Sequence, residues 1–308
     1  MDMKNVELLL EALRRNSTSG ANEIVKEALE IIKVRLDLIE DPNMDITEEI
    51  HLLLKKIIDT RPTMAPLINV VGYLLNNLTI ITKRSFENRI KQLQKNEIEK
   101  NKDLECNFRK FLQERKKDLK KIMLISYSST IFNLLKKNKD FELELFVLES
   151  RPLLEGRKTA KFLSKYFKTT LIIDAAMGKF LEQTDLVLIG TDSILRDGSI
   201  INKIGSYPLT ALSKLKDIEV FVVGDSFKYN LRTHYGYEIL IEEKLSSEVF
   251  NINGDTNIDV LNYYFEVIPS EYISGIISDL GILSIQEFIE RVKCLLPIEW
   301  FKYFINDQ

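Results

Sequence analysis

The sequence predicts an α/β protein: a helical domain over residues 1–118 followed by a doubly wound, parallel-sheet domain over residues 119–308. Three observations carry this. Up to about residue 118, apolar residues recur at three- and four-residue steps, the helix period. After Lys121 the rhythm changes to short continuous apolar runs bounded by turns, the mark of strands buried on both faces. Helix-length segments alternate with those runs, as a parallel sheet covered on both sides requires.

In the first region, "NVELLLEALRR", "ANEIVKEALEIIKVRLDLI" and "ITEEIHLLLKKIIDT" each place charges between periodic apolar positions. "TRPT" at residues 60–63 interrupts the pattern, with Pro62 ending one helix and able to open the next. From Lys83 to Lys121 there are 14 Lys/Arg against 7 Asp/Glu. An RNA- or acidic-partner surface is one reading of this segment. Sparse aromatics and alternating charge signs favour the other, a long solvated amphipathic helix. In the second region "IMLIS", "LELFVLE", "TTLIID", "DLVLIG" and "EVFVVG" read as strands, and "GRKTAKFLSKYF" and "GSYPLTALSKLK" as helices between them.

Composition sets outer limits. The 308 residues are 45% hydrophobic and 29% charged, ordinary for a soluble globular chain and long enough for two domains. A net charge of −3 gives no excess of the kind nucleic-acid binders show, so direct nucleic-acid binding is not expected. Cys106 and Cys294 lie far apart, with no C-x-x-C pattern, so neither a metal site nor a cofactor is indicated and a reducing compartment is. The N-terminal stretch lacks the pattern of a secretion signal, and no apolar run approaches the roughly 20 residues of a membrane helix. A cytoplasmic, soluble protein without membrane association is the expectation.

Ligands of a doubly wound domain gather at the carboxyl ends of its strands. There the sequence concentrates polar groups: Glu149, Ser150 and Arg151 after "FVL", Asp174 after "LII", Gly190, Thr191 and Asp192 after "LVLI", and Asp225, Ser226 and Lys228 after "FVVG". "INKIGS" is read as placing Asn202, Lys203 and Gly205 at a helix start. Lys203 and Lys228 suit a phosphate as point charges, with the amides after Gly205 facing the same anion. Asp192 suits a general base or a sugar-hydroxyl acceptor. Caps and salt bridges at loop ends are the plainer reading of any one of them; their concentration argues for a site.

"ESRPLLEGRKTAKFL", "IIDAAMGKFLEQTDLVLIGTDSILRDGSIINKIGSYPLTALSK" and "VGDSFKY" resemble the initiation factor 2B alpha/beta/delta family, whose superfamily includes methylthioribose-1-phosphate isomerase and ribose-1,5-bisphosphate isomerase. "TRPTMAPLINVVGYLL" and "NIDVLNYYFEVIPSEYISGIISDLGIL" extend the resemblance toward both termini. It implies a Rossmann-like C-terminal domain, and a homodimer or higher oligomer formed largely through it.

In the isomerases the strand resembling "IMLIS" ends in Thr-His-Cys, and that cysteine acts with a later aspartate. The matching residues here are Leu124, Ile125 and Ser126, while Asp192, Asn202 and Lys203 match the retained positions. An Arg-Gly-Ala phosphate turn is matched by Gly20 and Ala21, with Ser19 at the arginine position; Arg61 of "TRPT" is retained. A thiol near pKa 8.5 exchanges protons near neutrality, whereas a hydroxyl needs an activating base. Ile125 is no base, and the two histidines, His51 and His234, lie far away in sequence.

Asp192 is therefore the catalytic candidate, with Ser126 expected to be inactive at the cysteine position. Gly20, Ala21, Arg61, Glu149, Arg151, Asn202, Lys203 and Lys228 are the candidate ligand contacts. The function expected first is a non-catalytic, initiation factor 2B-like regulatory subunit that binds the alpha subunit of initiation factor 2, with a phosphorylated small molecule or nucleotide as a further ligand. The alternative is an aldose–ketose isomerase of sugar phosphates, and between them stands a ligand sensor outside translation.

Overall fold

The computed structural model describes residues 3–16, 20–61, 64–251 and 257–296. Ser19, Pro62 and Thr63, to which the sequence assigns roles, lie outside these residues.

Five helices come first: α1 Met3–Arg15, α2 Ala21–Asp37, α3 Thr47–Asp59, α4 Ala65–Leu75 and α5 Lys83–Glu114. α4 is apolar nearly all round, and ten of its eleven residues are buried, so it forms the centre of the helical layer. α5 runs 32 residues, about 48 Å at helical rise. A capping box between Thr82 and Ser85 starts it. Its first half buries Phe86, Ile90 and Leu93 among the helices. Its second half buries Leu104, Phe108, Phe111 and Leu112 against the sheet, with the Phe111 and Phe221 rings 4.7 Å apart. The charge-rich segment is thus an amphipathic helix that packs on both layers.

The main sheet contains β1 Lys121–Leu124, β2 Glu144–Leu148, β3 Lys168–Ile172, β4 Leu186–Ile189, β7 Glu219–Val223, β9 Gly275–Ser278 and β10 Gly281–Leu283. Their order is β10-β9-β7-β4-β1-β2-β3, parallel throughout except for β10 at the edge. Numbered as parallel strands, this is the doubly wound 3-2-1-4-5-6 order, whose direction reverses between β1 and β4. The crossover helices are α6 Ser129–Lys137, α7 Glu155–Leu163, α8 Met177–Leu181 and α9 Ser206–Leu215; α10 Ile285–Leu295 follows β10. β1, β2, β4, β7 and β9 are buried along almost their whole lengths, which explains their unbroken apolar runs. Gly156, in the first turn of α7, permits the tightest approach in this layer: a Cβ there would lie 1.7 Å from the Leu148 carbonyl oxygen.

A small antiparallel sheet lies beside the strand ends, in the order β5 Ser193–Ile194, β6 Ile200–Lys203, β8 Phe265–Ile268. It corrects one expectation. Asn202 and Lys203 belong to strand β6, paired with Glu266 and Phe265, and not to a helix start. The helix begins only after Gly205, whose φ of 97° suits glycine. The helical layer is tied to the strand ends by Asn69 of α4, whose amide donates to the carbonyls of Phe227 and Tyr229, each at 2.7 Å. Among the described residues no helix is long and apolar enough to cross a membrane.

Candidate functional site

A cleft opens at the β1/β4 reversal, where doubly wound sheets take their ligands. Its floor is the turn Ile125–Thr130 after β1 and Gly190–Asp192 after β4. The start of α2 (Gly20, Ala21, Asn22) closes one side, and Asn202, Lys203, Lys228, Glu155, Tyr264 and Phe265 close the others.

The β1 turn is built with care. Ser126 sits in the left-handed region at φ 65°, a costly conformation for a residue with a Cβ. Its N–H donates to Ser150 Oγ at 2.7 Å, and its carbonyl accepts from Thr159 Oγ1 at 2.8 Å. Ser150 is itself fixed, its N–H donating to Asp174 Oδ1 at 2.8 Å and its hydroxyl to the Leu148 carbonyl at 3.0 Å. Ser128 caps α6 by accepting the Ile131 N–H at 3.3 Å. The α2 and α6 starts are joined by Asn22, whose amide donates to Thr130 Oγ1 at 3.3 Å. Two helix N-termini thus border one cleft, and their dipoles favour an anion there.

Four charged groups face each other across it. Lys203 is 3% exposed and Lys228 6%. The Lys203 ammonium pairs with Glu155 Oε1 at 2.8 Å and lies 5.1 Å from the Tyr264 ring centroid. The other Glu155 oxygen is buried without a hydrogen-bond partner. Burial pushes the Asp192 carboxyl above the usual carboxylate range, against the pull of Lys228 and Lys203. A buried acid with a raised pKa beside two ammonium groups is equipped to move a proton next to a bound anion.

Of the ten candidate catalytic and ligand-contact residues, Gly20, Ala21, Ser126, Asp192, Asn202, Lys203 and Lys228 come together here. Three do not. Glu149 is bound to Arg157 at 2.7 Å. Arg151 gives its N–H to Asp174 at 2.7 Å and its guanidinium to the Val249 carbonyl at 3.1 Å. Arg61 gives its guanidinium to the carbonyls of Leu13, in the last turn of α1, and Asn16, just past it. The amides after Gly205 are also engaged otherwise: those of Gly205, Ser206 and Tyr207 meet the Glu266 carboxylate, with Tyr207 N–H at 2.8 Å. That helix start already holds an internal anion. Glu155 and Tyr264 were missed from the sequence. Glu155 had a faint signal, an acid opening a helix at a strand end; Tyr264 had none.

Comparison with known proteins gives the family and agrees with the fold. The signature of the Initiation factor 2 subunit family matches residues 6–285. The ribose 1,5-bisphosphate isomerase of Archaeoglobus fulgidus is 28% identical over 293 residues, covering 91% of this chain and 90% of its own. A putative translation initiation factor eIF-2B subunit 2-like protein of Pyrococcus horikoshii is 28% identical over 296 residues, covering 89% and 95%. Among solved structures, the Pyrococcus horikoshii translation initiation factor eIF-2B superimposes with a TM-score of 0.80 at 23% identity, covering 94% of this chain and all of that one. A signature spanning almost the whole described chain places it: this protein belongs to the Initiation factor 2 subunit family.

Proposed function

We propose that the cleft binds a phosphorylated pentose and interconverts its aldose and ketose forms. One observation carries the reading: the buried Asp192 carboxyl, its pKa raised, stands at the strand-order reversal with Lys203 and Lys228 beside it. The phosphate is received by the two helix starts, with the lysines toward the sugar oxygens. The C1–O4 ring bond breaks while C1 keeps its phosphate, and Asp192 takes the C2 proton, leaving a C1=C2 double bond, and returns that proton to C1. The ammonium groups stabilise the enolate oxygen on C2 between the two steps. The remaining proton passes from O2 to O4, the ring oxygen freed when the C1–O4 bond breaks, through the Ser126 hydroxyl, which accepts one proton as it gives up another and never carries charge. A thiol is not required for such a relay. The length over which the isomerase relatives match supports the reading.

The test is turnover. Purified protein incubated with ribose 1,5-bisphosphate yields the ketose, and Asp192→Asn lowers the rate by about 10²- to 10⁴-fold, the usual worth of general acid–base catalysis. Absence of ketose with the wild-type protein rejects the proposal.

A second reading is favoured by Ile125 and Ser126, which leave the strand end with no base at the hydroxyl. In it the protein is a cytoplasmic, non-catalytic regulatory subunit, a homodimer or larger, that binds the alpha subunit of initiation factor 2 and senses the sugar phosphate. Retention of that subunit at micromolar concentration, without turnover, decides for it.

A further inference from the structure

Lys228 reaches the cleft from one short turn, Ser226–Lys228, at the end of β7. Its stem passes over Gly224, where a Cβ would lie 3.2 Å from Lys228 Cγ. The turn is held on every side. Asp225 accepts the Phe227 N–H at 2.9 Å, and Asn69 of α4 donates to the Phe227 carbonyl at 2.7 Å. Lys100 of α5 pairs with Glu97 and sets its ammonium 3.3 Å from the Phe227 ring centroid. Asp279, from the turn between β9 and β10, accepts both the N–H and the hydroxyl of Ser226, each at 2.7 Å.

That last contact is expensive. Asp279 is largely buried and within the field of Asp225, and together these raise its pKa to about 6 despite Lys100 and the Ser226 bonds. Around it, Asn107 of α5 donates to the carbonyls of Ser278 and Asp279, and Arg291 of α10 to that of Leu280. A second carboxylate beside Asp225 costs stability, so its return lies in geometry. Two bonds to one serine fix both backbone and side chain two residues before Lys228. Lys228 in turn acts on both Asp192 and Glu97, which joins the cluster to the cleft.

We propose that Asp279 is a positioning residue for the cleft: by clamping Ser226 it fixes the direction from which the Lys228 ammonium meets a phosphorylated ligand. The inference rests on the sugar-phosphate reading above. A double-mutant cycle tests it, with ribose 1,5-bisphosphate as the probe and calorimetry on the full chain. Asp279→Ala weakens binding about 10-fold or more, and the same change in a Lys228→Met background alters it by less than about 2-fold, because contacts acting through one another are not additive. Asp279→Asn, which keeps an acceptor for the Ser226 N–H, restores affinity to within about 3-fold of wild type. Equal losses from Asp279→Ala in both backgrounds overturn the proposal. If the wild-type protein does not bind the bisphosphate, the functional reading fails by itself, and hydrogen exchange at residues 226–228 decides the clamp. Faster exchange confined to that turn in Asp279→Ala supports it; unchanged exchange, or acceleration throughout the chain, overturns it.

Discussion

Replacing Asp279 by asparagine isolates one ionisation whose effect on stability can be worked out. Burial and Asp225 raise this carboxyl from 3.8 to about 6. At 1.36 kcal/mol for each pKa unit, that is about 3 kcal/mol. The folded protein holds the proton more tightly than the unfolded chain, so the contribution is complete below pH 3.8 and is lost as pH rises through about 6. Between pH 4.5 and 7.5 the wild-type protein should therefore lose about 2 kcal/mol that the Asn variant keeps. Urea denaturation of both proteins at the two pH values measures it; groups that titrate alike in both cancel in the difference. Solvent on the open side of Asp279 reduces the figure by up to about a factor of two. pH responses that agree within about 0.5 kcal/mol would refute the placement of this charge between Asp225, Lys100 and Ser226.

Three further changes probe the scaffold and the chemistry. Gly156→Ala forces a methyl into the Leu148 carbonyl and should cost about 3 kcal/mol or more, read as a lower urea midpoint; a loss under about 1 kcal/mol would mean that α7 does not rest on β2 as described. Gly224→Ala puts a methyl 2.8 Å from Thr191 Cγ2 and 3.2 Å from Lys228 Cγ. Thr191 cannot rotate away without breaking its 2.9 Å bond to the Ser193 carbonyl, so sugar-phosphate affinity should fall about 10-fold while the protein stays folded. Ser126→Cys supplies a group that exchanges protons near neutrality and should raise turnover about 10-fold or more, with a rate that climbs toward pH 8.5; an unchanged rate would place the reacting atoms away from residue 126.

The sequence revealed the parts of the fold whose burial is two-sided. β1, β2, β4 and β7 are apolar runs because both faces are covered, and no turn chemistry obscures them. β5 has two residues, and β6 ends in Asn202 and Lys203, so the small sheet resembles a loop leading to a helix. In the site, the residues at the ends of β4, β6 and β7 were legible because local geometry aims them at the cleft. Glu149 and Arg61 were not, since their partners, Arg157 and the carbonyls at the end of α1, are chosen by tertiary packing. Glu266 stands 59 residues from the helix start whose amides it occupies, and no local pattern announces such a pairing.

The charges of the cleft separate binding from conversion. Glu155 and Asp192 face Lys203 and Lys228, two carboxylates against two ammonium groups, so the ligand-free cleft is formally neutral when all four are ionised. A phosphate dianion adds negative charge, and any part of it felt at Asp192 raises that carboxyl further. Binding should then be accompanied by proton uptake, whichever function the protein has. A sensor needs nothing more. An isomerase does: Asp192 must give up its proton to act on C2, so the phosphate has to lie toward the α2 and α6 starts, with the carbons toward Asp192. The positions of Gly20, Ala21 and Ser129 on the side of those helix starts allow that separation. A phosphate seated between Lys203 and Lys228 instead would hold Asp192 protonated, and the cleft would bind a sugar phosphate without converting it.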